Sequence, residues 1–333
     1  MAERPNILFI YSDQHRWDCL GAHGHPLVQT PNLDRLAAEG CDFRQAYTPC
    51  PICVPARVSL LNGQYTACHG TINNYDAESF RRPDPEQPTH PRVVGGAGYH
   101  TWHIGRWHVD PRRPAQDFGF HEFLQDWRYG KYRSRLDLAP KQPAERYGGI
   151  DPNPFEHSSL AWHARQVNAA IDWSQTQDSD PFLIHWHMLE PHPAYWPVQA
   201  FAERYDPAAI DPWPGFADDL ADKPWIQRQM PANWGIADLG WEDWAPVVAR
   251  YLAVISQLDA AVGLVLDELD RRGLAENTLV VYTSDHGDLC GSHHMFDKHY
   301  VMYDDVTRIP LLMRWPGGGI PAGRICEDFV TNG

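Results

Sequence analysis

The sequence predicts an α/β protein: a mainly parallel sheet covered by helices on both faces. Short apolar runs of strand length recur along the chain, and two of them end in an acidic residue. Longer stretches with helical periodicity lie between them. Strand and helix therefore alternate, the pattern that builds a parallel sheet buried on both sides. With 333 residues, 43% hydrophobic and 21% charged, the chain has a globular composition and enough length for a substantial core.

The first element is "NILFIYSD" (6–13), an apolar run ending in Asp13, which suits a buried parallel strand. "TPNLDRLAAEG" follows as a helix: Thr30 at the N-cap, Pro31 at the first helical position, Leu33, Leu36 and Ala37 on one face, and Gly40 as the stop. In "CVPARVSLLNGQ" Pro55 sits in a first helical turn, so Cys53 falls at or just before a helix N-terminus. "YHTWHIG" (99–105), "PFLIHWHM" (181–188), "TLVVYTSD" (278–285) and "PLLMRW" (310–315) read as further buried strands. Over 247–272, Tyr251, Val254, Ile255, Leu258, Val262, Val265, Leu266 and Leu269 recur at helical spacing before Gly273. Residues 110–155 and 190–246 break this rhythm, being rich in Pro, Trp and Asp. They read as long insertions that pack on their own aromatics, with a substrate rim as the functional alternative.

Charge and cysteine content narrow the function. A net charge of −15 argues against nucleic-acid and anionic-membrane partners, both of which need a basic face. It leaves room for a small anionic substrate held by a local cluster of cations. The apolar run ending at Ile10 is too short for a signal-peptide core, and nothing later approaches a membrane span. Cys19, Cys41, Cys50, Cys53, Cys68, Cys290 and Cys326 are odd in number and scattered. The expectation is a reducing, cytoplasmic setting with mostly free thiols.

In open α/β sheets, ligands gather at the carboxyl ends of strands. Asp13 ends one such strand, and Asp285 followed by His286 ends another. Acids at two strand tips suit a divalent cation. Oxygen ligands point to Ca²⁺, Mg²⁺ or Mn²⁺, and the imidazole leans toward Mn²⁺ or Zn²⁺. Either acid alone equally fits a helix cap or a solvated loop. Cys50 and Cys53 form a C-x-x-C pair, a redox pattern, while Cys53, Pro55 and Arg57 form C-x-P-x-R. A helix N-terminus at Cys53 favours an anion and lowers a thiol pKa, and Arg57, about one turn in, is spaced to fold back on it. Arg106 and His108 are two apart in an extended segment and project the same way. His192 follows the fourth predicted strand, and Lys298 lies downstream of His286. A metal, a helix N-terminus, cations and imidazoles on one face suit an ester of a tetrahedral oxyanion.

These residues resemble the sulfatase family of the alkaline-phosphatase superfamily. "PNILFIYSDQ", "TPNLDRLAAEG", "CVPAR", "IGRWH", "PHPAY", "TSDHGD" and "FDKHYVMYDDVTRIPLLMRWPG" occur in the family's order nearly end to end. The resemblance implies an alkaline-phosphatase-like sheet with helices on both faces, and residues 1–333 as an N-terminal catalytic domain. Relatives continue into more sheet and a smaller C-terminal domain, which is expected to be missing here. Cys53 would be the precursor of formylglycine, made by a maturation enzyme that reads C-x-P-x-R, and Cys50 would be incidental. One hydroxyl of the hydrated aldehyde, acidified by the metal, would attack sulfur and expel the alcohol. The other would lose its proton, and the hemiacetal would collapse to aldehyde and sulfate.

Carried over by motif, Asp13, Gln14, Asp285, His286 and modified Cys53 form the metal site, with Ca²⁺ first and Mn²⁺ or Mg²⁺ next. Arg57 would stabilise the formylglycine, and His108 would be the base for the collapse. His192 and Lys298 would hold the sulfate and assist the leaving oxygen. Arg106 would add positive charge where relatives carry lysine. Asn74 in "TINNYD" matches a substrate contact of the choline-sulfatase and phosphonate-monoesterase branches, with Asn73 beside it leaving the register open. Gln14 stands where many relatives have an acid and His286 where many have asparagine; both features resemble those same branches. Asn62 replaces a threonine in the segment that the maturation enzyme reads. The implied activity is hydrolysis of a sugar, aryl or choline-type sulfate ester. A phosphonate monoester or phosphodiester hydrolase is the alternative, and a non-catalytic sulfatase-like binding protein a third reading. The implied partners are the ester substrate and the maturation enzyme, with a homo-oligomer left open.

Overall fold

A computed structural model describes residues 4–176, 181–298 and 300–333. Its strands in chain order are β1 (Asn6–Asp13), β2 (Cys41–Tyr47), β3 (His100–Gly105), β4 (Glu122–Gln125), β5 (Gln142–Pro143), β6 (Gly149–Ile150), β7 (Phe182–Pro191), β8 (Thr278–Ser284), β9 (Leu311–Arg314) and β10 (Arg324–Thr331). Eight of them form one sheet in the order β10-β2-β9-β8-β1-β7-β3-β4, and β5 and β6 pair separately. The neighbours β8, β1, β7, β3 and β4 run parallel, and so do β10 and β2. β9 runs antiparallel to both β8 and β2. The sheet is therefore mainly parallel, as expected, with one reversed strand.

All five strands read from the sequence are present, the four central ones with near-identical limits. β2, β4 and β10 were not legible. Their sequences, "CDFRQAY", "EFLQ" and "RICEDFVT", mix charge into short runs, as edge or near-edge strands do. The helix Pro31–Ala38 forms as read, but Thr30 does not bond the helix's own N–H groups. Its Oγ1 instead donates to Asp34 and accepts from Gly21 N–H. Gly40 is not the left-handed stop that the pattern suggested, since the helix closes at Glu39. Glycine is required there for a different reason: a Cβ at Gly40 would lie 2.2 Å from the Met313 carbonyl oxygen of β9.

Strand alternation divides the sheet into two faces. On one, Leu8, Ile10, Ile184, Trp186 and Val280 pack against the helices Pro31–Ala38, Ser159–Thr176 and Trp241–Arg271. The last is longer than its periodic stretch, starting at Trp241 with Asp243 closing on the Gly240 N–H. Leu258, Val262, Val265, Leu266 and Leu269 of that helix are all fully buried. Burial of each such side chain is worth about 1.5–3 kcal/mol, so this helix anchors the core. The other face receives the helix Cys53–Asn62, whose Val54, Val58 and Leu61 meet Val109, Phe118 and Phe120.

The two insertions pack largely on themselves. Trp213 and Trp244 are buried with Tyr195, Phe201, Tyr205 and Tyr251 in a second core. Trp127, Trp225 and Trp234 remain exposed, so the aromatic content divides between packing and rim.

Candidate active site

Parallel pairing of β1 with β8 sets Ser12 opposite Ser284, so Asp13 and Asp285 leave the sheet side by side. The Gln14 N–H donates to Asp285 Oδ1 at 2.9 Å, which fixes that carboxylate. Cys53 is the first residue of its helix, as the position of Pro55 suggested. Its Sγ lies 3.3 Å from His286 Nε2 and 3.8 Å from Asp13 Oδ1. His286 Nδ1 donates to the Gly287 carbonyl at 2.8 Å, so Nε2 keeps its lone pair and faces the sulfur.

Asp13, Cys53, Asp285 and His286 are all fully buried, and each offers a ligand atom within 4.8 Å of the others. Asp285 Oδ2 is enclosed, with the Arg57 guanidinium beside it at 3.2 Å. Two buried carboxylates, a thiol position and an imidazole whose lone pair faces them fit a divalent cation. The imidazole's other nitrogen is held by a carbonyl, as metal-binding histidines require.

The counter-charge comes from two arginines. Arg57 Nη2 lies 2.8 Å from Asp13 Oδ2 and 3.2 Å from Asp285 Oδ2. Arg106 Nη1 lies 3.1 Å from Asp13 Oδ2. Burial alone would raise the Asp13 pKa, but Arg106 and Arg57 outweigh it and hold the carboxyl well below its usual range. Arg106 reaches the site because Gly105 turns the chain at φ 100°, where a Cβ would lie 2.0 Å from the His187 carbonyl oxygen.

A second cation stands beside this group. The buried Lys298 Nζ lies 2.9 Å from Gln14 Oε1, 3.0 Å from His192 Nε2 and 2.9 Å from Asp297 Oδ1. Burial works against its charge, yet Cys53, Asp297 and Asp13 raise its pKa, so it stays an ammonium. As a pure donor it fixes the His192 tautomer: Nε2 accepts, and Nδ1 donates to the Pro193 carbonyl at 2.6 Å. Gln14 lies against the four-residue group, its N–H on Asp285 Oδ1. Its amide nitrogen is spent on Asp288 Oδ2 and Asp297 Oδ1, and its oxygen on Lys298.

His108 Nδ1 accepts from Arg106 Nη2 at 3.1 Å. Burial, then Arg106 and Arg57, push its pKa down to about 2. The ring is thus neutral and, with its lone pair held by Arg106, a weak proton acceptor in this arrangement. Asn74 Oδ1 accepts from the Val54 N–H at 3.0 Å and caps the helix that carries Cys53. Asn73 in turn holds the Asn74 N–H, so the register left open in "TINNYD" places Asn74 nearer Cys53. Cys50 lies at the edge, its thiol pushed up to about 11, chiefly by burial, which disfavours a redox pair.

Several residues here were not singled out from the sequence. Asp288 and Asp297 hold Gln14, and Tyr195 Oη donates to Asp288. His187, His185 and His90 form a continuous chain. Arg57 Nη1 donates to His187 Nδ1 at 3.0 Å. His187 Nε2 therefore carries a proton and donates to His185 Nδ1 at 3.1 Å. His185 Nε2 then donates to His90 Nε2 at 2.8 Å, and His90 Nδ1 donates to the Leu60 and Leu61 carbonyls. Because arginine only donates and a carbonyl only accepts, every tautomer along the relay is determined. All three rings are neutral, their pKa values lowered first by burial, to about 4 for His90. A sequence signal existed: His185 and His187 are two apart in "FLIHWHM" and so share a face.

Comparison with known proteins agrees with this geometry. The sulfatase family's sequence profile matches residues 5–327. The uncharacterised sulfatase YidJ of Escherichia coli is 34% identical over 334 residues, 95% of this chain but 64% of its own length. An arylsulfatase of Clostridium perfringens is 30% identical over 98% of this chain and 72% of its own. The solved phosphonate monoester hydrolase SpPMH from Silicibacter pomeroyi superposes with a TM-score of 0.83 at 27% identity, covering 99% of this chain and 71% of that one. The chain thus spans about two thirds of the length of these relatives. The matched region contains every residue placed above, from Asp13 to Lys298, and the chain belongs to the sulfatase family of the alkaline phosphatase superfamily.

Proposed function

We propose that this chain carries the catalytic site of a sulfuric ester hydrolase acting on a sulfate monoester of a sugar, aryl or choline-type alcohol. The observation that carries the reading is the buried group Asp13, Cys53, Asp285 and His286 at a helix N-terminus, ringed by Arg57, Arg106 and Lys298. Asp13, Asp285, His286 and modified Cys53 would hold one divalent cation, Ca²⁺ or else Mn²⁺ or Mg²⁺. Such an ion, when bound, supplies Lewis-acid polarisation and lowers the pKa of the nucleophile. Cys53, converted by a maturation enzyme to formylglycine, supplies that nucleophile as a hydrated aldehyde.

The remaining side chains have distinct tasks. Arg57 is locked against both carboxylates and aligns Cys53. Arg106 and Lys298 clamp the anionic ester. Lys298 is held firmly as an ammonium, so it stabilises a departing alkoxide by charge and hydrogen bonding rather than by giving up its proton. His192 is fixed as its neighbour, and His108 is the base for the collapse step once its Nδ1 is released from Arg106. Asp13, Asp285, Asp288 and Asp297 face Arg57, Arg106 and Lys298, so a divalent ion would leave one net positive charge, matched to a monoanion.

That balance, with Gln14 in place of an acid and the likeness to SpPMH, favours a phosphonate monoester or phosphodiester hydrolase as the second reading. Matured protein assayed on p-nitrophenyl sulfate and p-nitrophenyl phenylphosphonate separates the two by which kcat/KM is larger. Turnover of both unchanged in Cys53→Ala or Asp285→Ala contradicts the site assignment.

A further inference from the structure

The loop that follows β7 touches the proposed clamp at two points. His192 Nε2 accepts from Lys298 Nζ at 3.0 Å. Three residues further on, the Tyr195 hydroxyl donates to Asp288 Oδ2. A chain of polar side chains joins these two points. Gln14 Nε2 donates to the same Asp288 oxygen at 2.9 Å, and Gln14 Oε1 accepts from Lys298 Nζ at 2.9 Å. Tyr195, Asp288, Gln14, Lys298 and His192 therefore form a ring, closed by the backbone of residues 192–195. Apart from His192, each of these side chains belongs to a residue at most 2% exposed.

The partners leave each bond of the ring one direction. A lysine ammonium only donates, so it takes the Gln14 amide oxygen, and the amide nitrogen is left for a carboxylate. Asp288 accepts from Tyr195 and Gln14 on Oδ2 and from the Cys290 N–H at 2.9 Å on Oδ1. Asp297 Oδ1 accepts from Gln14 Nε2 at 2.7 Å and from Lys298 Nζ at 2.9 Å. Turning the Gln14 amide over would set its nitrogen against the ammonium and its oxygen against two carboxylates. The Gln14 backbone is held as well. Its φ of 73° lies in the left-handed region, which a residue other than glycine keeps only where its surroundings determine it. Its N–H is on Asp285 and its carbonyl accepts from Tyr251 Oη at 2.9 Å. The Tyr195 ring packs edge-on against Tyr251, with centroids 5.3 Å apart. Tyr195 is itself tied to the insertion, its N–H on the Tyr147 carbonyl and its carbonyl on the Gly149 N–H, both at 3.0 Å.

We propose, resting on the hydrolase reading above, that Tyr195 and Asp288 are positioning residues that act through Gln14 to hold the Lys298 ammonium at the leaving oxygen of the ester. Neither touches the substrate. The three N–H groups of Lys298 are all engaged, on Gln14, Asp297 and His192. An ester oxygen must therefore take over one of these bonds, and His192 is the acceptor that lines the neighbouring cavity of about 340 Å³. Gln14 and Asp297 keep Nζ in place during that exchange, and Asp288 with Tyr195 keeps Gln14 in place. An ammonium out of position stabilises the departing oxygen less. The loss is greatest for an alcohol that leaves poorly, because more negative charge develops on its oxygen.

The test uses the matured full chain and its Tyr195→Phe and Asp288→Asn variants on two esters. One is p-nitrophenyl sulfate, with a good leaving group, and the other is phenyl sulfate, with a poorer one. Tyr195→Phe removes one hydroxyl and keeps the ring. Asp288→Asn replaces one oxygen by an NH2, which sets a donor against either the Cys290 N–H or the Gln14 amide. The expected fall in kcat/KM is about threefold to tenfold on p-nitrophenyl sulfate and about tenfold to a hundredfold on phenyl sulfate, the scale of one hydrogen bond to a charged group. Equal losses on the two esters, whatever their size, overturn the inference, because a packing defect does not sense the leaving group. So does an unchanged kcat/KM in both variants. If Asp288→Asn does not fold, Tyr195→Phe decides alone. Turnover of neither ester by the unsubstituted chain sinks the hydrolase reading itself, and the inference falls with it.

Discussion

Cys53 faces Asp13 and His286 because three short-range choices agree: a helix N-terminus, a proline in its first turn, and Asn74 capping the Val54 N–H from outside the helix. That arrangement leaves the side chain at position 53 aimed into the proposed metal group. Cys53→Ser tests what the cysteine is for. A serine sulfate ester has no second hydroxyl with which to eliminate, so the account predicts a variant that stays covalently sulfated at position 53, seen by intact mass, with turnover lost. Full turnover in Cys53→Ser would contradict it. Asp13, Cys53, Asp285 and His286 were legible in the sequence because each sits at an element end marked by its neighbours. Gln14 was harder. Its place beside the group depends on Asp288, Asp297 and Lys298, which lie far along the chain and become neighbours only through sheet pairing.

β7 shows what element-level reading missed. Its run "FLIHWHM" reads as a buried strand, and it is one. The two histidines on the face covered by the helix Cys53–Asn62 are nonetheless the middle of the relay from Arg57 to the C-terminal carbonyls of Arg57's own helix. His187 is a positioning residue, since it acts through Arg57. Replacing it with leucine should lower kcat by at least about tenfold, on the scale by which small misplacements of a reacting group slow catalysis. KM should change less, and His187→Asn, whose Oδ1 can accept from Arg57, should recover part of the loss. Equal damage by Leu and Asn would reduce the relay to packing. The Asp259 carboxylate illustrates a cap supplied by a different helix. It accepts from the Asn32 and Leu33 N–H groups at the start of Pro31–Ala38, and burial pushes its pKa up to about 6 against those bonds. An acid raised in the folded state stabilises most fully below about pH 4, its unfolded value. That contribution is lost as pH rises through about 6. Asp259→Asn should therefore gain stability relative to the original protein between about pH 4 and pH 7, read as unfolding midpoints. Parallel pH curves would show that Asp259 does not titrate in this range.

Across the whole molecule, strand–helix alternation predicted the class, and the central strands gave the site its floor. The order of the strands was not readable. β9 reverses direction, and β2 and β10 come from opposite ends of the chain to lie beyond it, side by side, a long-range arrangement that no local pattern encodes. A molecule with net charge −15 still concentrates Arg57, Arg106 and Lys298 around one buried group, so charge total and charge placement point to different partners. A divalent ion that binds only the folded chain stabilises it by mass action, about 2.7 kcal/mol at a hundredfold excess over Kd. Ca²⁺ or Mn²⁺ should therefore raise the unfolding midpoint, EDTA should reverse the shift, and Asp285→Ala should abolish it. The most direct test of the central claim is the mass of the tryptic peptide "QAYTPCPICVPAR", residues 45–57, after co-expression with a formylglycine-generating enzyme. The account predicts an aldehyde in place of the Cys53 thiol, together with sulfate ester turnover that follows the converted fraction. A Cys53 that remains a thiol in protein that nonetheless hydrolyses sulfate esters would contradict it.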